Sequence, residues 1–237
     1  MKLGIIGGLG PLATAYYYEL LTKMSAVSQD QEHLEIFIHS CPQIPDRTAY
    51  ILDHKKENPL QVMIQVAKGL EKQGADYLAI PCITAHYFHE ELSQSVHIPI
   101  IHLVHEICEY LVRNHIDSVG IMATTGTIST QLFQSALKAK NISCIIPDET
   151  RQEDVMHIIY QNVKLVIDVE MDRFEHVSQE LFHQGAQMII LGCTELSIVK
   201  KDYHLNDQYL DGMELLAAVA LQKCQIPLKK EYQHFID

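Results

Sequence analysis

The chain has 237 residues, 47% of them hydrophobic, enough to bury the core of one large domain or of two small ones. Its formal net charge of −12 repels nucleic acid and anionic membranes, so neither is expected as a partner. The apolar runs fall far short of the roughly 20 residues of a membrane span. The N-terminal MKLGIIGG lacks a signal-peptide cleavage pattern, so we predict a cytoplasmic protein.

Short β-rich runs alternate with helix-length amphipathic segments along the chain. Strands are predicted at 3–6, 34–38, 77–80, 100–101, 119–122, 144–146, 188–191 and 209–211. The segment 11–24 is a predicted helix with Pro11 at its first position, and 58–74 is another, with Asn58 as N-cap and Gly74 as its stop. This alternation predicts an α/β fold of mainly parallel sheets covered by helices.

The second half of the chain repeats the first. LEKQGADYLAIPC at 70–82 matches LFHQGAQMIILGC at 181–193, and LGIIGGLG at 3–10 matches VGIMATTG at 119–126. Helical patterns that begin near residues 102 and 211 also follow a short strand in each half. Three matches in the same order predict two lobes related by a pseudo-twofold axis, with a cleft between them.

We predict the lobe boundaries from this repeat. Residues 1–103 and 210–228 are assigned to an N-terminal α/β lobe, and residues 104–209 to a C-terminal one. The closing helix of each half is expected to pack against the other lobe.

The repeat places Cys82 and Cys193 at the ends of two matching strands. Because parallel sheets bind ligands at the carboxyl ends of their strands, both thiols are predicted to face the cleft. A thiolate and a thiol on opposite sides of a carbon suit the removal of a proton from one face and its return to the other. The alternative is that each cysteine is a small buried core residue.

Six segments carry a family resemblance: GIIGGLGPLAT, PQIPDRTAYIL, PCITAH, ATTGTI, RQEDVMHIIYQNVK and LGCTEL. In order and spacing, from residue 3 to about 220, the chain resembles the aspartate racemases of the cofactor-independent aspartate/glutamate racemase family. The resemblance implies two α/β lobes with the active site between them, and a homodimer. It also implies a two-base mechanism without pyridoxal phosphate or another cofactor. The implied substrate is an acidic amino acid, aspartate first and glutamate second.

The resemblance also implies roles for particular residues. The family's paired catalytic cysteines fall on Cys82 and Cys193, and its carboxylate-binding cations on Arg47 and Lys164. Arg47 is expected on a loop after the second strand, and Lys164 at a helix end. The family commonly has Asn where this chain has Ile83, so we expect the pocket to lose a polar contact there, unless Ile83 turns into the core.

The other candidates lie beside these motifs. The turn after the first strand is predicted to approach the substrate, and threonine hydroxyls are predicted to bind the α-carboxylate, to cap helices, or both. Glu195 is expected to support Cys193 or Thr194, and Asp46 to be a turn residue or a partner of Arg47. The remaining substrate-binding candidates are Gly8, Leu9, Gln43, Thr84, Thr124, Thr125, Thr127 and Thr194.

Neither a metal nor a dinucleotide is predicted. HYFH at 86–89 and HLVH at 102–105 contain spaced histidine pairs, but zinc needs a tighter cluster of three or four ligands. GLGPLA at 8–13 is a loose dinucleotide pattern, yet the second strand ends in His39 and Ser40, with no acid for a ribose.

Two other functions stay open from the sequence. A related lyase or cis–trans isomerase of a dicarboxylate needs only one proton-donating or nucleophilic cysteine, whereas this chain has Cys82 and Cys193. A non-catalytic two-lobed amino-acid-binding protein needs no reactive thiol. The presence of both cysteines favours the racemase.

Overall fold

Two parallel sheets form the centre of the protein. The structure is a computed structural model that describes all residues from Met1 to Asp237. One sheet has the order β2-β1-β3 and consists of β1 (Lys2–Gly7), β2 (Glu35–Ser40) and β3 (Tyr77–Ala79). The other has the order β5-β4-β6-β7 and consists of β4 (Ser118–Ala123), β5 (Ser143–Ile145), β6 (Met188–Gly192) and β7 (Tyr209–Asp211). All strand pairs are parallel, which confirms the predicted α/β class.

The strand order confirms the repeat seen in the sequence. β1, β2 and β3 occupy the same relative positions in their sheet as β4, β5 and β6 in theirs. The strand predicted at 100–101 is wrong in extent, because Ile100 makes only a single parallel bridge to Leu78. This bridge stands where β7 stands in the other sheet. It ends after one residue because Pro99 has no N–H to donate and His102 already caps the next helix.

Eleven α-helices surround the sheets. They are α1 (Pro11–Met24), α2 (Arg47–Leu52), α3 (Leu60–Lys72), α4 (His89–Ser95), α5 (Leu103–Arg113), α6 (Thr125–Ser129), α7 (Leu132–Ala139), α8 (Glu149–His157), α9 (Met171–His183), α10 (Thr194–Tyr203) and α11 (Gly212–Lys223). Short 3₁₀ helices span Asp30–Glu32, Ile83–Phe88, Val163–Leu165 and Lys230–Phe235, and a π-helical turn spans Ile158–Asn162. No helix is both long and apolar enough to cross a membrane.

The predicted boundaries of α1 and the predicted capping role of Asn58 at α3 are confirmed. Pro59 has a helical backbone conformation and directly precedes Leu60, in agreement with the preference of Pro for the first positions of a helix. The Asn58 side chain accepts a hydrogen bond from the Leu60 N–H at 2.9 Å, as an N-cap residue does. Gly74 follows the end of α3 with a φ of +96°, a conformation that suits glycine.

Helix α11 lies at the centre of the largest hydrophobic cluster. Its sequence GMELLAAVALQK is apolar on nearly every side, and most of its residues are buried, as expected for a helix with neighbours all round. It packs against α1, α5 and α10. Since α11 contacts helices from both predicted lobes, the assignment of residues 1–103 and 210–228 to one lobe and of 104–209 to the other stays a prediction.

Candidate active site

One cleft collects residues from the carboxyl ends of strands in both sheets. The loops after β1, β2 and β3 contribute one part of its wall, and the segments after β4, β5 and β6 contribute the rest. The lining residues are Leu9, Asp46, Arg47, Thr48, Cys82, Ile83, Thr84, Thr124, Tyr160, Lys164, Cys193, Thr194 and Glu195. The cleft therefore has the location expected for the ligand site of a parallel sheet.

The two cysteines occupy equivalent positions in the two halves. Cys82 follows β3 and precedes the 3₁₀ helix Ile83–Phe88, whereas Cys193 directly follows β6 and precedes α10. Each is buried, with 7% of its surface exposed, and both line the cleft. The structure thus brings together the two thiols that the repeat singled out.

A carboxylate and an ammonium group surround Cys193. The Cys193 thiol donates a hydrogen bond to Glu195 Oε2 at 2.9 Å, and the Thr194 hydroxyl donates to the same oxygen at 3.1 Å. Lys164 Nζ lies 3.0 Å from Glu195 Oε1. Burial raises the pKa of Cys193 well above its ordinary value, and the Glu195 charge raises it further, whereas Lys164 opposes this shift. Cys193 is therefore a thiol in this arrangement.

Arg47 is a buried helix residue, so the prediction that it lies on a loop is wrong. The Asp46 carboxylate accepts a hydrogen bond from the Ala49 N–H at 2.7 Å and caps α2, which makes Arg47 the first residue of that helix. Only 8% of Arg47 is exposed. Asp46 also accepts a hydrogen bond from the Tyr160 hydroxyl at 3.4 Å, across the cleft.

Backbone carbonyls hold the Arg47 guanidinium in place. Nη1 donates to the carbonyls of Ile44 and Pro45 at 3.3 and 3.1 Å, and Nη2 donates to the carbonyl of Leu9 at 3.2 Å. Burial lowers the pKa of Arg47, but the nearby charges, led by Cys82, raise it by more. Arg47 Nε is buried without a hydrogen-bond partner. Arg47 therefore places positive charge beside Cys82 and keeps one buried donor unused.

Four threonine hydroxyls meet at the base of the cleft. Thr84 Oγ1 lies 3.1 Å from Thr124 Oγ1 and 2.9 Å from Thr127 Oγ1, and these last two lie 3.1 Å apart. Thr48 donates to Thr124 at 3.3 Å. Thr124 also caps α6, because its Oγ1 accepts the Thr127 N–H. Thr124 therefore both caps α6 and lines the cleft, which is one of the alternatives predicted from the sequence.

Four of the predicted substrate-binding residues lie outside the cleft lining. A side chain on Gly8 would begin 2.5 Å from the Cys41 backbone, so this glycine permits close contact with the chain after β2. Gln43 lies on the exposed side, where its Oε1 is 3.7 Å from Cys41 Sγ. Thr127 lies behind the lining threonines, and Thr125 faces Gln152.

Three lining residues, Asp46, Thr48 and Tyr160, were not predicted as site residues, since Asp46 was expected only as a turn residue or a partner of Arg47. Thr48 follows Arg47 directly in PDRT, and Tyr160 belongs to the motif that contains Lys164. Lys164 Nζ lies 5.1 Å from the centre of the Tyr160 ring. Burial, and then the Asp46 charge, raise the pKa of Tyr160 to about 12. Their adjacency to recognised motif residues was the only signal available in the sequence.

Ile83 lines the cleft but also packs into the core. A side chain on Gly212 would begin 3.0 Å from Ile83 Cδ1 and 3.4 Å from Ile107 Cδ1. Ile83 is 2% exposed and belongs to the largest hydrophobic cluster. The end of this side chain is therefore fixed by α5 and α11, which favours the core alternative.

We expect Ile83→Asn to lower the free energy of unfolding by about 2–4 kcal/mol, because it removes apolar packing and leaves a buried amide without a partner. Ile83→Val, which removes one methyl group, should cost about 0.5–1.5 kcal/mol. Urea unfolding followed by circular dichroism measures both. Equal stability of the two variants would show that the amide finds partners in the cleft.

The histidines of HYFH and HLVH form a cluster beside the first sheet. The ring of His102 lies 4.1 Å from that of His89 and 5.7 Å from that of His86, between centroids. His86 is 2% exposed, and its Nε2 lies 3.3 Å from the Ile80 carbonyl. No group of three or more His, Cys, Asp or Glu side chains has a geometry that holds a metal ion.

This histidine cluster should make the protein less stable in acid. Burial, and then the other two rings, lower the pKa of His86 to about 3, and burial lowers that of His102 to about 4. The unfolded chain therefore binds more protons than the folded one below about pH 6.5, so stability is lost as the pH falls. His86 alone should account for about 2 kcal/mol between pH 6.5 and 5.

Denaturant titrations at several pH values test this prediction. His86→Gln should weaken the pH dependence below pH 6.5, whereas replacement of the exposed His183 by Gln should not. Identical pH profiles for wild type and His86→Gln would contradict it.

Known proteins similar to this chain in sequence and fold are racemases and their homologues. A family model described as Asp/Glu/hydantoin racemase matches residues 6–220. The aspartate racemase of Picrophilus torridus is 30% identical with a TM-score of 0.87, and the match covers 99% of each chain. The broad specificity amino-acid racemase RacX of Bacillus subtilis is 27% identical over 225 residues, 91% of this chain and 94% of RacX. An aspartate racemase homologue from Pyrococcus horikoshii OT3, 22% identical with a TM-score of 0.77, shares the fold over 94% of this chain and 99% of its own.

Proposed function

Since the chain belongs to the Asp/Glu/hydantoin racemase family and is an amino-acid racemase, we propose that Cys82 and Cys193 are its two acid–base groups. The observation that carries this proposal is that both cysteines, one from each sheet, line the same cleft. One thiolate removes the proton from the α-carbon of the substrate. The other thiol then delivers its proton to the opposite face of the resulting carbanion, so no proton is gained or lost overall.

The surroundings of the two sulfur atoms support different starting roles. Arg47 places a positive charge beside Cys82, whereas the Cys193 thiol donates a hydrogen bond to Glu195. We therefore assign Cys82 as the base and Cys193 as the acid for the enantiomer whose α-proton faces Cys82. After that step the Cys193 thiolate is next to Glu195, and Lys164 offsets the repulsion between the two negative charges.

The proposed substrate is an acidic amino acid, aspartate first and glutamate second. Arg47 retains an unpartnered Nε donor, and a guanidinium is well shaped for a carboxylate. The hydroxyls of Thr84 and Thr124 supply further donors on the cleft wall. Similarity to an enzyme named aspartate racemase supports the choice, and similarity to one named broad specificity amino-acid racemase makes neutral amino acids the necessary comparison.

Proton NMR in D₂O tests the proposal. The purified protein, without added cofactor, should remove the α-proton signal of L- and D-aspartate and form the opposite enantiomer, which chiral chromatography detects. Glutamate should react more slowly and alanine most slowly. Tight binding without α-proton exchange would support an amino-acid-binding protein. Consumption of a dicarboxylate without racemisation would support a related lyase or isomerase.

A homodimer and a cytoplasmic location are also part of the proposal. The homodimer is what the family resemblance of the sequence implies. Analytical ultracentrifugation distinguishes a dimer from a monomer of 27.0 kDa.

A further inference from the structure

The cleft has little free space in this structure. Its free volume is about 20 Å³, which is room for about one water molecule. Even the smallest chiral amino acid is several times larger. Part of the wall must therefore move before a substrate can reach Cys82 or Cys193.

Helix α2 is a part of the wall with few buried residues. Arg47 and Thr48 are its only buried residues, and both line the cleft. The rest of the helix is partly or fully exposed, and the segment 53–58 that follows it is exposed throughout. Elements with few buried contacts open at low free-energy cost, so α2 is a wall element that can open.

Thr48 connects α2 to Thr124, the cap of α6, which follows a strand of the second sheet. Its hydroxyl donates to Thr124 at 3.3 Å, the one bond from this helix to the threonine cluster. A side chain on Gly126 would begin 2.9 Å from Thr48 Oγ1 and 3.0 Å from Thr48 Cα, so the first turns of α2 and α6 are in close contact. At the rim, the Tyr160 hydroxyl bonds to Asp46, the cap of α2.

We propose that α2 is a lid whose movement away from α6 admits the substrate, and that Thr48 is the positioning residue that latches it. Opening breaks the hydrogen bond from Arg47 Nη2 to the Leu9 carbonyl, carries Arg47 away from Cys82 and uncovers the cleft. Closure over a bound amino acid returns Arg47 to the site. The inference rests on the proposed function only in taking this cleft as the substrate site.

Alkylation of Cys82 by iodoacetamide, followed by peptide mass spectrometry, tests the lid without requiring turnover. Thr48→Val should speed the reaction about twofold to tenfold, the effect of losing one hydrogen bond, and Thr48→Ser should restore the wild-type rate. Thr22→Val removes a hydroxyl on the exposed side of α1 and should have no effect. The core residues Cys108 and Cys224 report on global loosening, and their reactivity should not change.

Hydrogen exchange of the wild type provides a second measurement that depends on no variant. Peptides that contain residues 47–52 should exchange faster than those of α3, and aspartate should slow them. Cys82 alkylation that is unchanged in Thr48→Val, or exchange in α2 as slow as in α3, would overturn the proposal. Because neither readout requires racemisation, a working lid and an inactive enzyme remain distinguishable.

Discussion

Replacing either Cys82 or Cys193 with alanine should lower the racemisation rate by about 10²–10⁴-fold, the usual contribution of a general acid or base. Each variant keeps one thiol on one side of the cleft. Cys82→Ala should still exchange the α-proton of the enantiomer that faces Cys193, and Cys193→Ala that of the opposite enantiomer. This reciprocal pattern distinguishes two one-sided bases from a single base that serves both faces.

The measurement is α-proton exchange in D₂O for each enantiomer separately, together with chiral analysis of the product. Cys108→Ala is the matched control, since Cys108 is buried in the core away from the cleft and its loss should leave racemisation intact. Near wild-type racemisation by either cleft variant would contradict the two-base proposal. So would loss of exchange for the same enantiomer in both variants.

The repeat in the sequence predicted the architecture. Hydrophobic periodicity and turn residues determine strands and helices from neighbouring residues, so matching segments form matching elements. The match of segments 70–82 and 181–193 placed Cys82 and Cys193 at equivalent strand ends, and the parallel-sheet rule then placed the ends in one cleft. Strand position is a strong constraint on where a residue lies. The positions of both thiols in the cleft could therefore be predicted from the sequence alone.

The orientations of individual side chains could not be predicted from the sequence in this way. Gly8 faces the Cys41 backbone and Ile83 reaches Gly212, and both contacts join distant parts of the chain. Thr48 acquires its partner only when α2 meets α6 across the cleft. Local pattern contains no information on such contacts, so the sequence identified the loops of the site more reliably than the residues within them.

Loss of the ion pair between Lys164 and Glu195 should lower the free energy of unfolding. The Glu195 side chain is 6% exposed, so Lys164→Met leaves a buried carboxylate without its cation. Because Lys164 itself is 28% exposed, we expect a loss of about 1–3 kcal/mol, below the cost for a fully buried pair. Lys164→Met combined with Glu195→Gln should recover most of that loss, since the unpaired charge is then absent.

A solvent-exposed ion pair provides the control that separates the loss of a buried charge partner from the loss of a lysine as such. Lys23 is 60% exposed beside Glu19, so Lys23→Met should leave the free energy of unfolding nearly unchanged. A double variant as unstable as Lys164→Met alone would show that Glu195 does not carry a buried charge that Lys164 neutralises.

The same ion pair should affect the two cysteines unequally. Lys164 lowers the pKa of Cys193, so its loss disfavours the Cys193 thiolate by about tenfold for each pKa unit. We therefore expect Lys164→Met to slow α-proton exchange more in the Cys82→Ala protein, where Cys193 is the only base, than in the Cys193→Ala protein. Equal slowing in both backgrounds would indicate that Lys164 acts on the bound substrate and not on the Cys193 thiolate.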